Sequence, residues 1–113
     1  MTEPRWVTEH QAILLHAEQL AIFGGPPGLR DQGMLASALD RSRNKWAYGE
    51  TDLAVLAAAY AYGISRNHPF IDGNKRAALI AIIMFLLRNG HRLMAPEAEA
   101  VVVIRDLAAG SLS

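Results

Sequence analysis

The chain contains 113 residues, of which 51% are hydrophobic and 19% charged. This length and apolar content suit one folded domain and exclude an intrinsically disordered chain. Lys and Arg together number 11, as do Asp and Glu, so the net charge is zero. Proteins that bind nucleic-acid phosphates or anionic membranes usually carry a basic surplus, and direct binding of nucleic acid is therefore disfavoured. The absence of cysteine excludes disulfide scaffolds and thiol nucleophiles.

No segment has the features of a signal peptide or a membrane span. Residues 1–5 contain charges and a proline where a signal peptide needs an apolar run. The longest uncharged apolar stretch, residues 77–87, is shorter than the roughly 18 residues that a membrane span requires. We therefore expect a small cytoplasmic domain with no membrane partner.

The first predicted helix runs from about Thr8 to Ile22. It begins with a capping box that pairs its first residue with Gln11, and its apolar residues recur at helical spacing. His16 lies in this helix and is interpreted as structural. A loop rich in Gly and Pro, residues 24–28, ends the helix. The second predicted helix begins after the N-cap Asp31 and ends near Arg43.

Residues 44–51 mix turn-forming residues with two aromatic residues and are predicted to form an ordered loop. Trp46 and Tyr48 either pack onto the domain or form a docking edge for another protein, and packing is the favoured interpretation. The third helix follows directly, with Asp52 or Thr51 as its N-cap.

Two nearly all-apolar helices form the predicted centre of the domain. They run from Leu53 to about Asn67 and from about Asn74 to Asn89, and Gly90 is a candidate left-handed stop for the second of them. Pro96 suits the first turn of a further helix that ends near Gly110. The sequence thus predicts an all-α fold: one compact domain over residues 1–113, built as a bundle of about five to six helices.

One short segment between the two central helices departs from this apolar pattern. Residues 68–76 read His-Pro-Phe-Ile-Asp-Gly-Asn-Lys-Arg, which places several polar side chains between two of the most apolar stretches in the chain. Burying polar groups near a core is costly unless they are paired or bind a ligand. This segment is therefore the candidate functional site.

The residue types in this segment suit the handling of phosphate. A helix that begins at Gly73 presents unpaired N–H groups to an anion, and Lys75 and Arg76 add positive charge. Asp72 offers a hard oxygen ligand for Mg²⁺. His68 can accept a proton from an incoming hydroxyl. Together these groups predict the transfer of a phosphate-containing group from a nucleotide.

Each of these residues also has a purely structural interpretation. His68 can simply close the C-terminus of the third helix, and Asp72 can cap the fourth helix with help from Asn74. Phe70 is interpreted as an anchor that pins the loop to the core. Arg66 either contacts phosphate or target, or extends its apolar stem along the surface.

The nine residues of this segment resemble the signature of the Fic/Doc superfamily, and more narrowly that of the Doc (death-on-curing) toxins. Fic enzymes usually have Gly in the eighth position and a further Arg three residues after the ninth. This chain has Lys75 and Leu79 there, which matches the Doc variant. Residues 28–31 and 58–63 are also similar to Doc-type sequences, so the resemblance spans most of the chain.

The resemblance implies a role for each matching residue. In the family, the motif histidine acts on the target hydroxyl, and His68 has that position. The family's acidic residue holds the metal, which corresponds to Asp72. Its glycine, asparagine and final arginine bind phosphate, and here these are Gly73, Asn74 and Arg76.

The resemblance further implies an ATP- and Mg²⁺-dependent toxin kinase that phosphorylates a threonine of translation elongation factor Tu and is held in check by a Phd-like antitoxin. Lys75 favours this reaction, whereas Gly73 matches the Fic form, which mostly transfers AMP to protein hydroxyls. AMP transfer thus remains an alternative. So does a non-catalytic helical module that only binds a partner. The sequence lacks the Ser/Thr-x3-Glu-Gly/Asn element that inhibits many Fic enzymes internally.

Overall fold

The structure, a computed structural model, describes residues 2–91, in which the chain forms four α-helices and one isolated β-bridge. The helices are α1 (Glu9–Phe23), α2 (Gln32–Ala47), α3 (Leu53–Asn67) and α4 (Asn74–Arg88). The predicted all-α fold is therefore confirmed, although four helices in this part of the chain are fewer than the five to six expected. The predicted helix from Pro96 to near Gly110 lies outside the described residues. Within residues 2–91, none of the helices combines the length and the hydropathy needed to cross a membrane.

The first two helices begin at the polar residues predicted to cap them. The N–H of Gln11 donates to the Thr8 hydroxyl at 3.1 Å, and the N–H of Thr8 donates to the Gln11 side-chain oxygen at 3.0 Å. This reciprocal pair is the predicted capping box. The carboxylate of Asp31 accepts from the N–H of Met34 at 3.0 Å and caps α2.

The limits of α3 and α4 also agree with the sequence. Asp52, rather than Thr51, caps α3, because its carboxylate accepts from the N–H of Ala54 at 2.9 Å. The fourth helix ends at Arg88, and Gly90 has the left-handed φ of +82° expected of a stop residue.

The end of α2 differs from the prediction. The residues expected to begin a loop at position 44 instead continue the helix to Ala47. Trp46, on this additional turn, packs edge-on against Trp6, with ring centroids 6.5 Å apart and an interplanar angle of 70°. This contact with a distant segment adds to the helix propensity of Lys45 and Ala47 in the same turn. Tyr48 is exposed, so the packing interpretation is confirmed for Trp46 only.

Helix α3 lies at the centre and packs against both α2 and α4. Its inward-facing side chains, which include Leu56 and Ile64, are fully buried. At Gly63 an added Cβ would lie 2.7 Å from the carbonyl oxygen and 2.8 Å from the Cα of Ala38. The close approach of α2 and α3 therefore requires a glycine at this position.

Tyr60 on α3 links the core to the N-terminal segment. Its ring is fully buried and contacts Phe85, with centroids 5.2 Å apart. Its hydroxyl oxygen accepts a hydrogen bond from the N–H of Val7 at 3.0 Å. Burial disfavours the phenolate and raises the pKa of Tyr60 to about 12.

Candidate active site

A cleft of about 610 Å³ lies where the C-terminal end of α1 meets the N-terminal end of α4. This volume is within the range of small-molecule sites. Leu20, Phe23 and Gly24 form its wall on the α1 side. Six of the site residues predicted from the sequence line this same cleft: His68, Asp72, Gly73, Asn74, Lys75 and Arg76. The polar segment that stands out in the sequence is thus gathered around one cavity.

His68 ends α3, and its exposed side chain lines the cleft. Its backbone is left-handed, with φ 47° and ψ 58°, and it is the only non-glycine residue among residues 2–91 with a positive φ. This conformation costs about 1–2 kcal/mol in an ordinary residue. It is held by the bond from the N–H of His68 to the Ile64 carbonyl (3.1 Å) and by Arg30, whose Nε donates to the His68 carbonyl at 2.6 Å. His68 therefore closes a helix and also presents its imidazole to the cleft.

The loop between α1 and α2 clamps the segment that carries the motif. The N–H groups of Arg30 and Asp31 donate to the carbonyl of Pro69 at 2.6 and 3.0 Å. The N–H of Ile71 donates to the carbonyl of Gly28 at 3.1 Å. These backbone bonds hold the segment after α3 against the loop between α1 and α2.

Phe70 and Asn74 hold the same segment from the core side. Phe70 is 1% exposed, which is the burial expected of an anchor. The side chain of Asn74 is also buried, and it both accepts from the N–H and donates to the carbonyl of Phe70, each at 2.9 Å. These two bonds commit the side-chain oxygen and one amide hydrogen of Asn74 to the loop, and the backbone N–H of Asn74 stands at the start of α4, where a phosphate would bind.

Asp72 stands with an exposed carboxylate directly before α4. The N-cap of α4 is Gly73, with φ +76°, and no side chain of the described residues caps the helix. The alternative in which Asp72 and Asn74 cap this helix is therefore wrong. The first N–H groups of α4 remain without side-chain partners, and such a helix end carries partial positive charge that favours an anion.

The surroundings of Asp72 fit a magnesium ion held together with phosphate. Within residues 2–91, no group of three or more His, Asp or Glu side chains is arranged to hold a metal by itself. Mg²⁺ typically binds through one or two carboxylates and takes its other ligands from phosphates and water. One exposed carboxylate beside an uncapped helix end suits that mode of binding.

Lys75, Arg76 and Arg66 differ in whether their side chains line the cleft. Lys75 and Arg76 are exposed in the first turn of α4 and line the cleft. The guanidinium of Arg76 lies over the ring of Phe23, 4.2 Å from its centroid. Arg66 is not among the described residues that line the cleft, and its guanidinium lies 5.7 Å from the ring centroid of Tyr62.

Two residues that support the site were not identified as part of it from the sequence. Arg30 donates to the carbonyl of His68, and His16 lies 2.7 Å from the carbonyl oxygen of Asp72. The interpretation of His16 as structural agrees with its burial. For Arg30, the sequence offered only the similarity of residues 28–31 to Doc-type sequences. That similarity did not indicate which group Arg30 would contact.

Comparison with known proteins gives a consistent result. The family model described as "Fic/DOC family" matches residues 6–86. The chain is 36% identical over 101 residues to "Protein kinase doc" of Escherichia phage P1, and the aligned region covers 88% of this chain and 80% of that relative. It is 41% identical over 76 residues to "Toxin Doc" of Mycolicibacterium smegmatis, and this aligned region covers 65% of this chain and 58% of that relative.

Proposed function

The chain belongs to the Fic/DOC family, and from this premise we propose that it is a Doc-type toxin kinase that transfers the γ-phosphate of ATP to a Ser or Thr hydroxyl of a translation factor. The observation that carries the proposal is that the His68 imidazole, the Asp72 carboxylate and the uncapped start of α4 line one cleft. The name of the phage P1 relative, a protein kinase, supports phosphoryl transfer as the reaction.

In the proposed reaction, His68 accepts the proton of the incoming hydroxyl. The hydroxyl oxygen forms a bond to the γ-phosphorus while the bond between that phosphorus and the β–γ bridging oxygen breaks, and ADP leaves with the bridging oxygen. Histidine is the side chain whose charge ordinarily changes near neutral pH, which suits it to this role. A general base of this kind contributes about 10²–10⁴-fold to the rate.

The rest of the cleft binds and orients the phosphates. The backbone N–H groups at the start of α4 and the side chains of Lys75 and Arg76 would contact phosphate oxygens, and Asp72 would hold a magnesium ion. When bound, magnesium neutralises charge on the phosphates. Positioning and charge stabilisation of this kind supply most of the rate enhancement in phosphoryl transfer.

Two residues bear on which part of ATP is transferred. Lys75 occupies a position where the resemblance associates lysine with delivery of the γ-phosphate. Gly73 occupies a position where the best-known Doc form has alanine and Fic enzymes have glycine. We give Lys75 the greater weight because it adds a charge to the phosphate-binding end, whereas glycine at the N-cap is explained by its positive φ of +76°.

The proposed target is elongation factor Tu, and the proposed regulator is a Phd-like antitoxin, both in the cytoplasm. These partners come from the resemblance, and the name "Toxin Doc" of the mycobacterial relative supports the toxin–antitoxin arrangement. The sequence has no internal inhibitory element of the Fic type, so control by a separate protein is expected.

The test is to incubate the purified protein with ATP, Mg²⁺ and elongation factor Tu and to record the intact mass of the target. A phosphate-sized gain supports the kinase, an adenylyl-sized gain supports AMP transfer, and no gain contradicts both. His68→Ala is expected to abolish the gain. His10→Ala is the matched control, because His10 is exposed on α1 and does not line the cleft. Growth arrest that survives His68→Ala would support the non-catalytic module instead.

A further inference from the structure

His16 is a buried polar residue of α1 that touches the motif segment at two points. It is 4% exposed. Its Nε2 lies 2.7 Å from the carbonyl oxygen of Asp72, and its ring stacks on that of Phe70, with centroids 3.8 Å apart and planes 12° from parallel. One side chain thus contacts the residues on both sides of Ile71.

The contact with Asp72 determines which ring nitrogen carries a hydrogen. A backbone carbonyl oxygen can only accept, so Nε2 of His16 must be the donor. The peptide bond between Asp72 and Gly73 is trans, so the N–H of Gly73 points in the direction opposite to the Asp72 carbonyl. Because the imidazole holds that carbonyl toward α1, it turns this N–H away from α1 and sets the orientation of the peptide at which α4 begins.

The N-cap residue of α4, Gly73, also lies beside His16. A Cβ added to Gly73 would lie 3.5 Å from Nε2 of His16 and 3.7 Å from a methyl group of Leu20, which is ordinary van der Waals contact. The carboxylate of Asp72 approaches Gly25 so closely that a Cβ there would be 2.7 Å from Oδ2. The carbonyl and the carboxylate of Asp72 are therefore both set against α1 and the loop that follows it.

The geometry points to His16 as a positioning residue for the phosphoryl transfer, an inference that rests on the proposed function. By donating Nε2–H to the backbone carbonyl of Asp72 and stacking on Phe70, His16 fixes the backbone that carries the carboxylate proposed to hold magnesium and the helix end proposed to hold phosphate. It is not among the described residues that line the cleft, so it acts through Asp72. Removal of such a supporting partner typically costs about 10–100-fold in metal affinity or activity.

Two substitutions separate the hydrogen bond from the stacking. His16→Phe keeps an aromatic ring against Phe70 but removes the donor, whereas His16→Gln removes the ring but keeps an N–H that can reach the Asp72 carbonyl. We expect His16→Phe to lower both kcat and the Mg²⁺-dependent affinity for ATP by about 10–100-fold. His16→Gln is expected to restore most of both. His10→Gln, on the exposed face of α1, is the matched control and should leave both unchanged.

Two further measurements test the role without relying on phosphate transfer. In the wild-type protein, nitrogen-15 NMR of the imidazole should place the His16 hydrogen on Nε2. Amide hydrogen exchange at residues 71–74 should be faster in His16→Phe than in wild type. The inference is overturned by a hydrogen on Nδ1 alone, by unchanged exchange, or by a His16→Phe variant with wild-type ATP affinity.

The same measurements distinguish failure of this inference from failure of the proposed function. The wild-type protein could modify no target and still carry the His16 hydrogen on Nε2, with faster exchange in His16→Phe. That result would contradict the kinase and support the role of His16 in positioning the loop. Should His16→Phe fail to fold, the NMR of the wild type and the ATP affinity of His16→Gln still test the inference. An affinity of His16→Gln more than about 100-fold below that of the wild type would contradict a role for the hydrogen bond to the Asp72 carbonyl.

Discussion

The side-chain amide of Asn74 forms two hydrogen bonds with the backbone of Phe70, one in each direction and each 2.9 Å long. Phe70 is buried and lies between α3 and α4, so its backbone N–H and carbonyl are outside the backbone hydrogen bonding of either helix. Buried backbone groups need such partners. The asparagine of the motif therefore supports the fold of the segment through its side chain.

Replacing Asn74 with alanine leaves both backbone groups of Phe70 without their partner. Each unsatisfied buried polar group costs about 1–3 kcal/mol, so we expect Asn74→Ala to lower the free energy of unfolding by about 2–6 kcal/mol. Urea denaturation followed by tryptophan fluorescence measures this loss. Asn44→Ala, at an exposed position of α2, should change stability by less than about 0.5 kcal/mol. Equal losses in the two variants would contradict the explanation.

Gly73 tests how much of the N-cap geometry depends on glycine. Its φ is +76°, but the nearest atoms to an added Cβ are 3.5 Å or more away. We expect Gly73→Ala to cost about 1–2 kcal/mol through backbone strain alone and to retain phosphate transfer. Gly90→Ala is a control with a similar φ of +82° and no atom within 4 Å. A much larger loss at Gly73 than at Gly90 in thermal unfolding would show that His16 and Leu20 do not accommodate the methyl group.

The sequence predicted the helix starts well because their signals are local. Thr8, Asp31 and Asp52 each bind an N–H two or three residues further on, so a short window of sequence contains both partners. The last turn of α2 instead includes a long-range contact, between Trp46 and Trp6. No local pattern reports such a contact, and the helix was predicted to stop too early.

The candidate active site shows the same difference between features that are local in the sequence and contacts between distant residues. Residues 68–76 are continuous, so their chemistry was readable as one segment, and the structure gathers them around one cleft. The residues that orient them are distant in sequence: Arg30 is 38 positions from His68, and His16 is 56 positions from Asp72. The sequence supports only a structural role for His16, and the packing of α1 against α4 is what brings it to the carbonyl it contacts.

The contact between Phe23 and Arg76 predicts an effect on nucleotide binding. The ring, which is 61% exposed, lies 4.2 Å from the guanidinium of a residue proposed to bind phosphate. A cation–π contact at an exposed site contributes about 0.5–1 kcal/mol. Because the ring holds the guanidinium beside the cleft before nucleotide binds, Phe23→Leu should weaken ATP binding, by at most about 2–5-fold, measured as the KM for ATP or by calorimetry. Phe23→Tyr keeps the ring and should retain wild-type affinity. An equal loss in both variants would mean that the ring does not act through Arg76.

The buried hydroxyl of Tyr60 predicts how stability changes at high pH. Burial raises the pKa of Tyr60 to about 12 in the folded protein, whereas an unfolded tyrosine titrates near 10. A raised pKa means that the folded state keeps its proton while the unfolded state loses it, so the stabilisation is complete below pH ~10 and is lost as the pH rises toward 12.

Tyr60→Phe isolates this contribution. At pH 7 the variant should be less stable than wild type by about 1–3 kcal/mol, because the buried N–H of Val7 loses its acceptor. Between pH 9 and pH 11 the wild type should lose about 1.4 kcal/mol more than the variant, which has no hydroxyl to ionise. Urea denaturation at a series of pH values measures both differences, with the exposed Tyr48→Phe as a control that follows the wild type. Parallel curves for wild type and Tyr60→Phe up to pH 11 would mean that the phenol is not protected from ionisation by the core.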